Sequence, residues 1–301
     1  MQSQLDTLIT ALYVQVDDLF ALLEGRRGPG RPPRLTDSEL VCLAVAQVLL
    51  GCNSERRWLR FAQGRLGHLF PYLPQPPAYN KRLRAAGRLL AQALRHLAGV
   101  TPSSWDRLRL LDSTPVPCAA SRQTVKRSEL AGWANYGYCA SHSRFFWGLR
   151  LHLLTTPDGA VAGWCLADPK IGDRVVAQAM LEHSPPRPGL LIVADKGYAG
   201  RQFEDFVREL GAVLVRPDRR DETHLRGSLG WIRQRIESVN DTLKGQLGLE
   251  AHGGRTHAGV TVRVAQRLLA SRPVSGTTGS STLRISARWS PTTTEHSEAL
   301  I

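Results

Sequence analysis

The stretch LLIVADKGYAG, residues 190–200, constrains the fold more than any other part of this 301-residue chain. Its five leading apolar residues run without a break into Asp195 and Lys196, and glycines at 197 and 200 flank Tyr198. A continuous apolar run closed by a turn signal predicts a buried central strand, covered on both faces. Asp195 then stands where the strand ends. In open α/β sheets the crevice beyond the carboxyl ends of the strands is where ligands bind, so an acid there is placed for chemistry. The same position also suits a cap for the following turn. Only convergence with other carboxylates separates the two readings.

Charge narrows the partner. The formal net charge is +13 with a pI near 10.2, and a globular chain that basic meets a polyanion, of which nucleic acid is the first candidate. From residue 26 to residue 100 there are 13 Lys/Arg against Asp37, Glu39 and Glu55, so most of the excess lies in that quarter of the chain. The five cysteines, Cys42, Cys52, Cys118, Cys139 and Cys165, form no CxxC pair. They point away from a disulfide framework or a zinc site and toward buried thiols in a reducing cytosol. The N-terminus carries acids and an interrupted apolar pattern, unlike a signal peptide. Residues 40–50, broken by Gln47, are too few to span a bilayer, and no membrane partner is expected.

Taken in order, residues 4–23 have the spacing of an amphipathic helix, with Leu5, Leu8, Ile9, Leu12, Val16, Leu19 and Leu23 on one stripe. A Gly/Pro/Arg segment, residues 25–34, reads as an exposed basic arm. Thr36 with Glu39 signals a capping box that opens a buried helix over residues 40–50. A second linker, FPYLPQPPAYN, precedes a helix with Leu83, Gly87, Leu90, Leu94 and Leu97 on one face and Arg82, Arg84, Arg88 and Arg95 around the rest. Residues 1–100 are thus expected to form an all-helical, basic region that binds DNA, with Lys81, Arg82 and Arg84 among its phosphate contacts.

The pattern then changes. RLRLLD, residues 107–112, predicts a short strand ending in Asp112, and the following Ser-Thr-Pro-Val-Pro is expected to stop its ladder. Residues 118–145 form a polar segment that interleaves Arg122, Lys126, Arg127, His142 and Arg144 with Trp133, Tyr136 and Tyr138. Cations holding phosphates and rings stacking on bases suit a nucleic-acid strand; an ordinary tucked loop suits the pattern nearly as well. FFWGLRLHLL alternates as a period-two strand, and Asp158-Gly159 turns it into a hairpin with VAGWCL. A helix over residues 171–183, with Val175, Ala179 and Leu181 inward, leads to the opening strand. A helix over 201–210, a strand over 212–216, a loop over 217–226 and helices over 229–247 and 256–270 complete the series.

Two early antiparallel connections followed by crossover helices predict a mixed five-stranded sheet with helices on its faces, the order of the ribonuclease H-like fold. In that order the first strand lies beside the fourth, bringing Asp112 and Asp195 together. Two adjacent carboxylates repel unless a cation sits between them. In the helix WIRQRIESVNDTLKGQ, Arg233, Glu237, Asn240 and Lys244 share a face beside the apolar stripe of Ile232, Ile236, Val239 and Leu243. Glu237 at a core-facing edge reads as a ligand or as half of a pair with Arg233. Oxygen donors without Cys or His point to Mg²⁺ or Mn²⁺, two ions serving the attacking and leaving oxygens of a phosphodiester. Lys244 could hold a DNA phosphate, with Arg233 and Asn240 on the same face and Lys196 nearby as further DNA contacts.

LTDSELVCLAVAQ, LLDSTPVP, GYCASHSRFFWGLRLHLL, LADPKIGDR, ADKGYAG and IESVNDTLKGQLGLE together resemble the blocks of bacterial insertion-sequence transposases with a DDE domain, most closely the insertion sequence 982 family. The resemblance covers residues 5 to 270. It implies that Asp112, Asp195 and Glu237 are a metal-binding catalytic triad, cutting at an element's terminal inverted repeats and then joining a 3′-hydroxyl to target DNA. It further implies copies assembled on DNA in a bacterial cytoplasm, associated with the nucleoid. Related transposases carry a Tyr, Arg, Glu, Lys signature around the last acid. Arg233, Glu237 and Lys244 fit its spacing, whereas Gly230 stands where the Tyr would be. The expected domains are residues 1–100, a catalytic domain over 101–270, and a Ser/Thr-rich tail over 271–301. Where the family continues as an apolar helix, this tail reads as an out-of-frame, disordered segment. A DNA-binding remnant without catalysis, or a metal-dependent nuclease without strand transfer, remain the alternatives.

Overall fold

The computed structural model describes residues 2–23, 33–139, 143–218 and 230–271. Most of the basic arm at 25–34, most of the loop at 217–226 and the tail from residue 272 lie outside them. Five helices come first: α1 (Gln2–Leu23), α2 (Asp37–Leu49), α3 (Glu55–Arg65), α4 (Pro76–Ala85) and α5 (Gly87–Val100). The capping box forms as read: the Thr36 hydroxyl accepts from the Glu39 N–H at 3.1 Å, and the Glu39 carboxylate accepts from the Thr36 N–H at 2.6 Å. Nearly every residue of α2 is buried, which is what its apolar sequence requires.

Two local readings of this region change. Helix α4 begins inside the segment read as a linker, because Pro76 and Pro77 occupy first-turn positions where a missing N–H costs nothing. The single helix expected beyond Lys81 is broken at Ala86, and α5 starts with Gly87, where an added Cβ would stand 3.7 Å from Val262. That is an ordinary van der Waals distance, so the last helix, α10 (His257–Ala270), packs here without needing the glycine. That helix packs against α2, α4 and α5, and the buried Gln266 amide donates to the Ala44 carbonyl at 3.2 Å. One core cluster therefore joins Leu43, Leu90 and Val264 to Val116, Leu149 and Leu151 of the sheet.

The sheet has six strands: β1 (Leu108–Ala119), β2 (Asn135–Cys139), β3 (Arg144–Thr155), β4 (Val161–Ala167), β5 (Leu191–Ala194) and β6 (Val213–Val215). Their order is β2-β3-β1-β5-β6, with β4 also on β3. The β1–β5 and β5–β6 pairs are parallel and the others antiparallel. This mixed sheet matches the expected one except for β2, whose residues read as a loop. Strand β1 also runs through Pro115 and Pro117 instead of stopping, and pairs with β3 as far as Ala119 opposite Trp147. Prolines two apart aim their missing donors at the same edge. β5 pairs with β1 only as far as Leu111, so beyond that residue the edge has no ladder to lose.

The connections include α6 (Arg122–Lys126) after β1, α7 (Asp173–His183) before β5, α8 (Arg201–Glu209) before β6 and α9 (Gly230–Asp241). Helix α7 buries Val176, Ala177 and Leu181, not Val175 and Ala179. It starts at Asp173, two residues later than read, and its inward phase is set by the second core with Phe203, Val207 and Ile192. After Asp241 the helix widens into a π turn, Thr242–Gln246.

Candidate active site

The parallel register of β1 and β5 sets Leu110 beside Val193 and Leu111 beside Ala194. One residue further on stand Asp112, inside β1 where its pairing with β5 stops, and Asp195, just past the end of β5, so the two acids lie at the same level. Burial first, then the charges of Asp195 and Asp173, push the Asp112 carboxyl up to about 6 against hydrogen bonds from Ser113 and Asn240. Asp195 is exposed, and its Oδ1 accepts from the Gly197 N–H at 2.7 Å, capping the short turn that follows. The capping role and the strand-end position thus coexist in one side chain.

Helix α9 delivers the third region of interest. Asn240 donates through Nδ2 to Asp112 Oδ2 at 2.6 Å. Glu237, one turn earlier on the same face, is exposed rather than pressed against the core. The side chain of Arg233 lies outside the described residues. Lys244 is half-buried on the π turn, so the face expected of a regular helix is rotated there. Among the described residues no three His, Cys, Asp or Glu side chains gather as a metal site. The two carboxylates are nonetheless oxygen donors whose like charges disfavour each other, a set that would suit a hard divalent cation.

Behind this pair, on the opposite face of β1, lies a group that sequence reading missed. Arg150 on β3 donates to both carboxylate oxygens of Asp173 at 3.2 Å, to Ser113 Oγ at 3.4 Å and to the Tyr138 carbonyl at 3.3 Å. His152 is fully buried, 4.0 Å from Asp173, and burial holds it down to about 4. Its ring nitrogens and Arg150 Nε have no hydrogen-bond partner among the described residues. The Tyr198 hydroxyl is pushed well up by burial and then by Asp173, Asp112 and Asp195. Asp173 therefore neutralises a guanidinium that would otherwise lie unpaired behind the acid pair. The available signal was the polar alternation of Arg150 and His152 on a strand that proves central.

The remaining candidates are spread over the surface. Lys196 is exposed beside Asp195, Arg122, Lys126 and Arg127 are exposed on and after α6, and Lys81 and Arg84 are exposed on α4. Arg82 is engaged internally, donating to Asp37 at 2.6 Å and to the Leu35 carbonyl, so it clamps α4 to the start of α2. A cavity of about 370 Å³ lined by Glu55, Arg84, Arg255 and Arg263 opens near the N-terminus of α10 and includes none of the strand-end acids. Residues 104–271 match the family described as transposase DDE domain. The chain belongs to that family. No match was found among curated proteins. Among solved structures, a cryo-EM structure of the piggyBac transposase synaptic complex with hairpin DNA is similar at 9% identity with a TM-score of 0.35. The alignment covers 74% of this chain and 51% of that one, so this chain spans about half the length of that relative. The family match encloses Asp112, Asp195, Glu237, Asp173 and Arg150. No helix among the described residues is long and apolar enough to cross a membrane.

Proposed function

We propose that the chain is a DNA transposase of the insertion sequence 982 type, with a ribonuclease H-like catalytic domain, that cuts and rejoins strands at the terminal inverted repeats of a bacterial insertion sequence. The observation that carries this reading is that Asp112 and Asp195 each follow directly on the last paired residues of the parallel strands β1 and β5, within a transposase DDE family match. Asp112 and Asp195 would hold Mg²⁺ or Mn²⁺, with Glu237 as the third acid from α9. Divalent cations, when bound, supply charge stabilisation for the attacking and leaving oxygens of a phosphodiester.

The chain's own groups do the rest. Asp112 must be ionised, and the Asn240 amide stabilises that form by donating to it. Gly197 holds Asp195 through one oxygen, fixing its rotamer. Asp173 neutralises the Arg150 charge that lies behind the pair, on the opposite face of β1. Lys196, Lys244, Arg233, Arg122, Lys126, Arg127, Lys81 and Arg84 hold phosphates of element and target DNA, copies of the chain assemble on that DNA, and the helices of residues 1–100 supply much of the sequence-independent attraction. The test is Mg²⁺-dependent cleavage and joining of a DNA fragment carrying the element's terminal repeats, with Asp195→Asn as the control. Activity lost in the variant supports the reading, and equal activity in both proteins overturns it.

A further inference from the structure

We propose that the open edge of the sheet, formed by β2 and the outer end of β3, is a stacking platform for unpaired DNA bases. The proposal deepens the DNA-transposase reading and rests on it. Phe145 is 78% exposed, Tyr136 52% and Tyr138 47%, large fractions for rings on a strand. Tyr138 and Phe145 face each other across the ladder with ring centroids 5.0 Å apart, and Tyr136 lies two residues along the same face. Scattered exposed aromatics need no explanation, whereas a contiguous set on one edge marks a binding surface.

The occupant follows from the charges around it. Ala119, Trp147 and Tyr136 form one row across β1, β3 and β2, and α6 departs from the Ala119 end. Arg122, Lys126 and Arg127 are therefore brought to this end of the sheet, all exposed. Arg144 flanks the rings but is paired with Glu250, and Glu129 is the exposed acid nearby in sequence. Cations beside protruding rings match a nucleic-acid strand, the cations tracking phosphates and the rings taking base faces. Within a duplex those faces are already stacked, so the rings favour an unpaired segment. A second copy docked edge to edge would set the basic residues of both copies against each other, a like-charge contact.

Position separates this surface from the acid pair. Asp112 lies opposite Leu153, and eight residues of extended strand from Leu153 to Phe145 span roughly 26 Å. The rings accordingly touch no reacting atom; they hold a strand that has left, or not yet reached, the strand-end site.

The experiment uses the full chain with a chelator present, so that no DNA is cut. Binding is measured to a mixed-sequence single-stranded oligonucleotide and to its duplex, and 2-aminopurine emission in the single strand reports stacking. Tyr138→Ala and Phe145→Ala are each expected to weaken single-strand binding by about tenfold and to remove the 2-aminopurine quenching. Duplex affinity should change less than about twofold, because backbone contacts supply it. Tyr138→Trp, which keeps a stacking face, should restore the single-strand value and guards against a folding artefact. Equal weakening of both DNA forms, or no weakening of either, overturns the platform. So does a dimer that dissociates in Phe145→Ala with unchanged single-strand affinity. If the unaltered chain binds neither form, it is the transposase reading that fails.

Discussion

Asp112 must carry its charge in a partly dry place. The folded pKa of Asp112 is raised from 3.8 to about 6, so the folded state binds this proton more tightly than the unfolded state does. Its contribution to stability is therefore complete below about pH 4 and is lost as pH rises through 6. In cation-free protein, Asp112→Asn should raise stability at pH 7.5 by at most about 3 kcal/mol and leave it nearly unchanged at pH 4. Urea titrations at the two pH values check the sign, and the variant should no longer be stabilised by added Mn²⁺. Asp173 gives a second, sharper expectation. Asp173→Asn leaves Arg150 unpaired and should weaken Mn²⁺ binding to the DNA-free protein on the order of tenfold. Adding Arg150→Gln removes the stray cation and should recover most of the loss, a coupling that a merely structural role for Asp173 would not produce.

Among the elements, the sequence located most strands better than it showed how each was built. The end of β5 at Asp195 was legible because an unbroken apolar run stops at an acid, whereas β1 was expected to stop at Asp112 and runs on to Ala119. Strand β2 was not, because its central residue is glycine. A Cβ at Gly137 would lie 2.6 Å from the Pro169 side chain and 2.7 Å from Phe146, so close packing, not loop chemistry, put the glycine there. The prolines of β1 misled for a related reason: their tolerance depends on which edge β5 leaves unpaired, and that is tertiary information. Gly148 tests this picture. A Cβ there would be driven into the Val116 carbonyl and to 3.0 Å from Pro117, so Gly148→Ala should cost about 2 kcal/mol and lower Tm by about 4–8 °C. Thermal melts read it directly, and an unchanged Tm would mean the long β1–β3 ladder is misplaced.

Across the whole molecule, helices from both ends of the described chain share one core with the sheet, and buried His252 reports on that union. His252 Nε2 donates to the Pro117 carbonyl at 3.0 Å while its Nδ1 accepts from the Gly254 N–H at 3.0 Å, which fixes the neutral tautomer and ties β1 to the loop before α10. Burial and Arg267 lower its pKa from 6.5 to about 4, and His152 is lowered similarly by burial. Depressed folded values mean that this stability is present above pH 6.5 and is lost as pH falls toward 4, opposite in sign to Asp112. Stability should accordingly decline below pH 6.5, and His252→Gln should flatten part of that decline in urea titrations. The basic helical quarter of the chain was visible in composition, whereas its packing around α10 was not, because an apolar stripe does not name its partner.

The central claim is that Asp112 and Asp195 form the cation-binding centre of a transposase, and Mn²⁺ binding to the DNA-free protein, followed by electron paramagnetic resonance, tests it most directly. The account predicts saturable binding that Asp195→Asn weakens by at least about tenfold, while Lys196→Ala leaves it within about twofold. Equal Mn²⁺ binding by the unaltered protein and Asp195→Asn would contradict it.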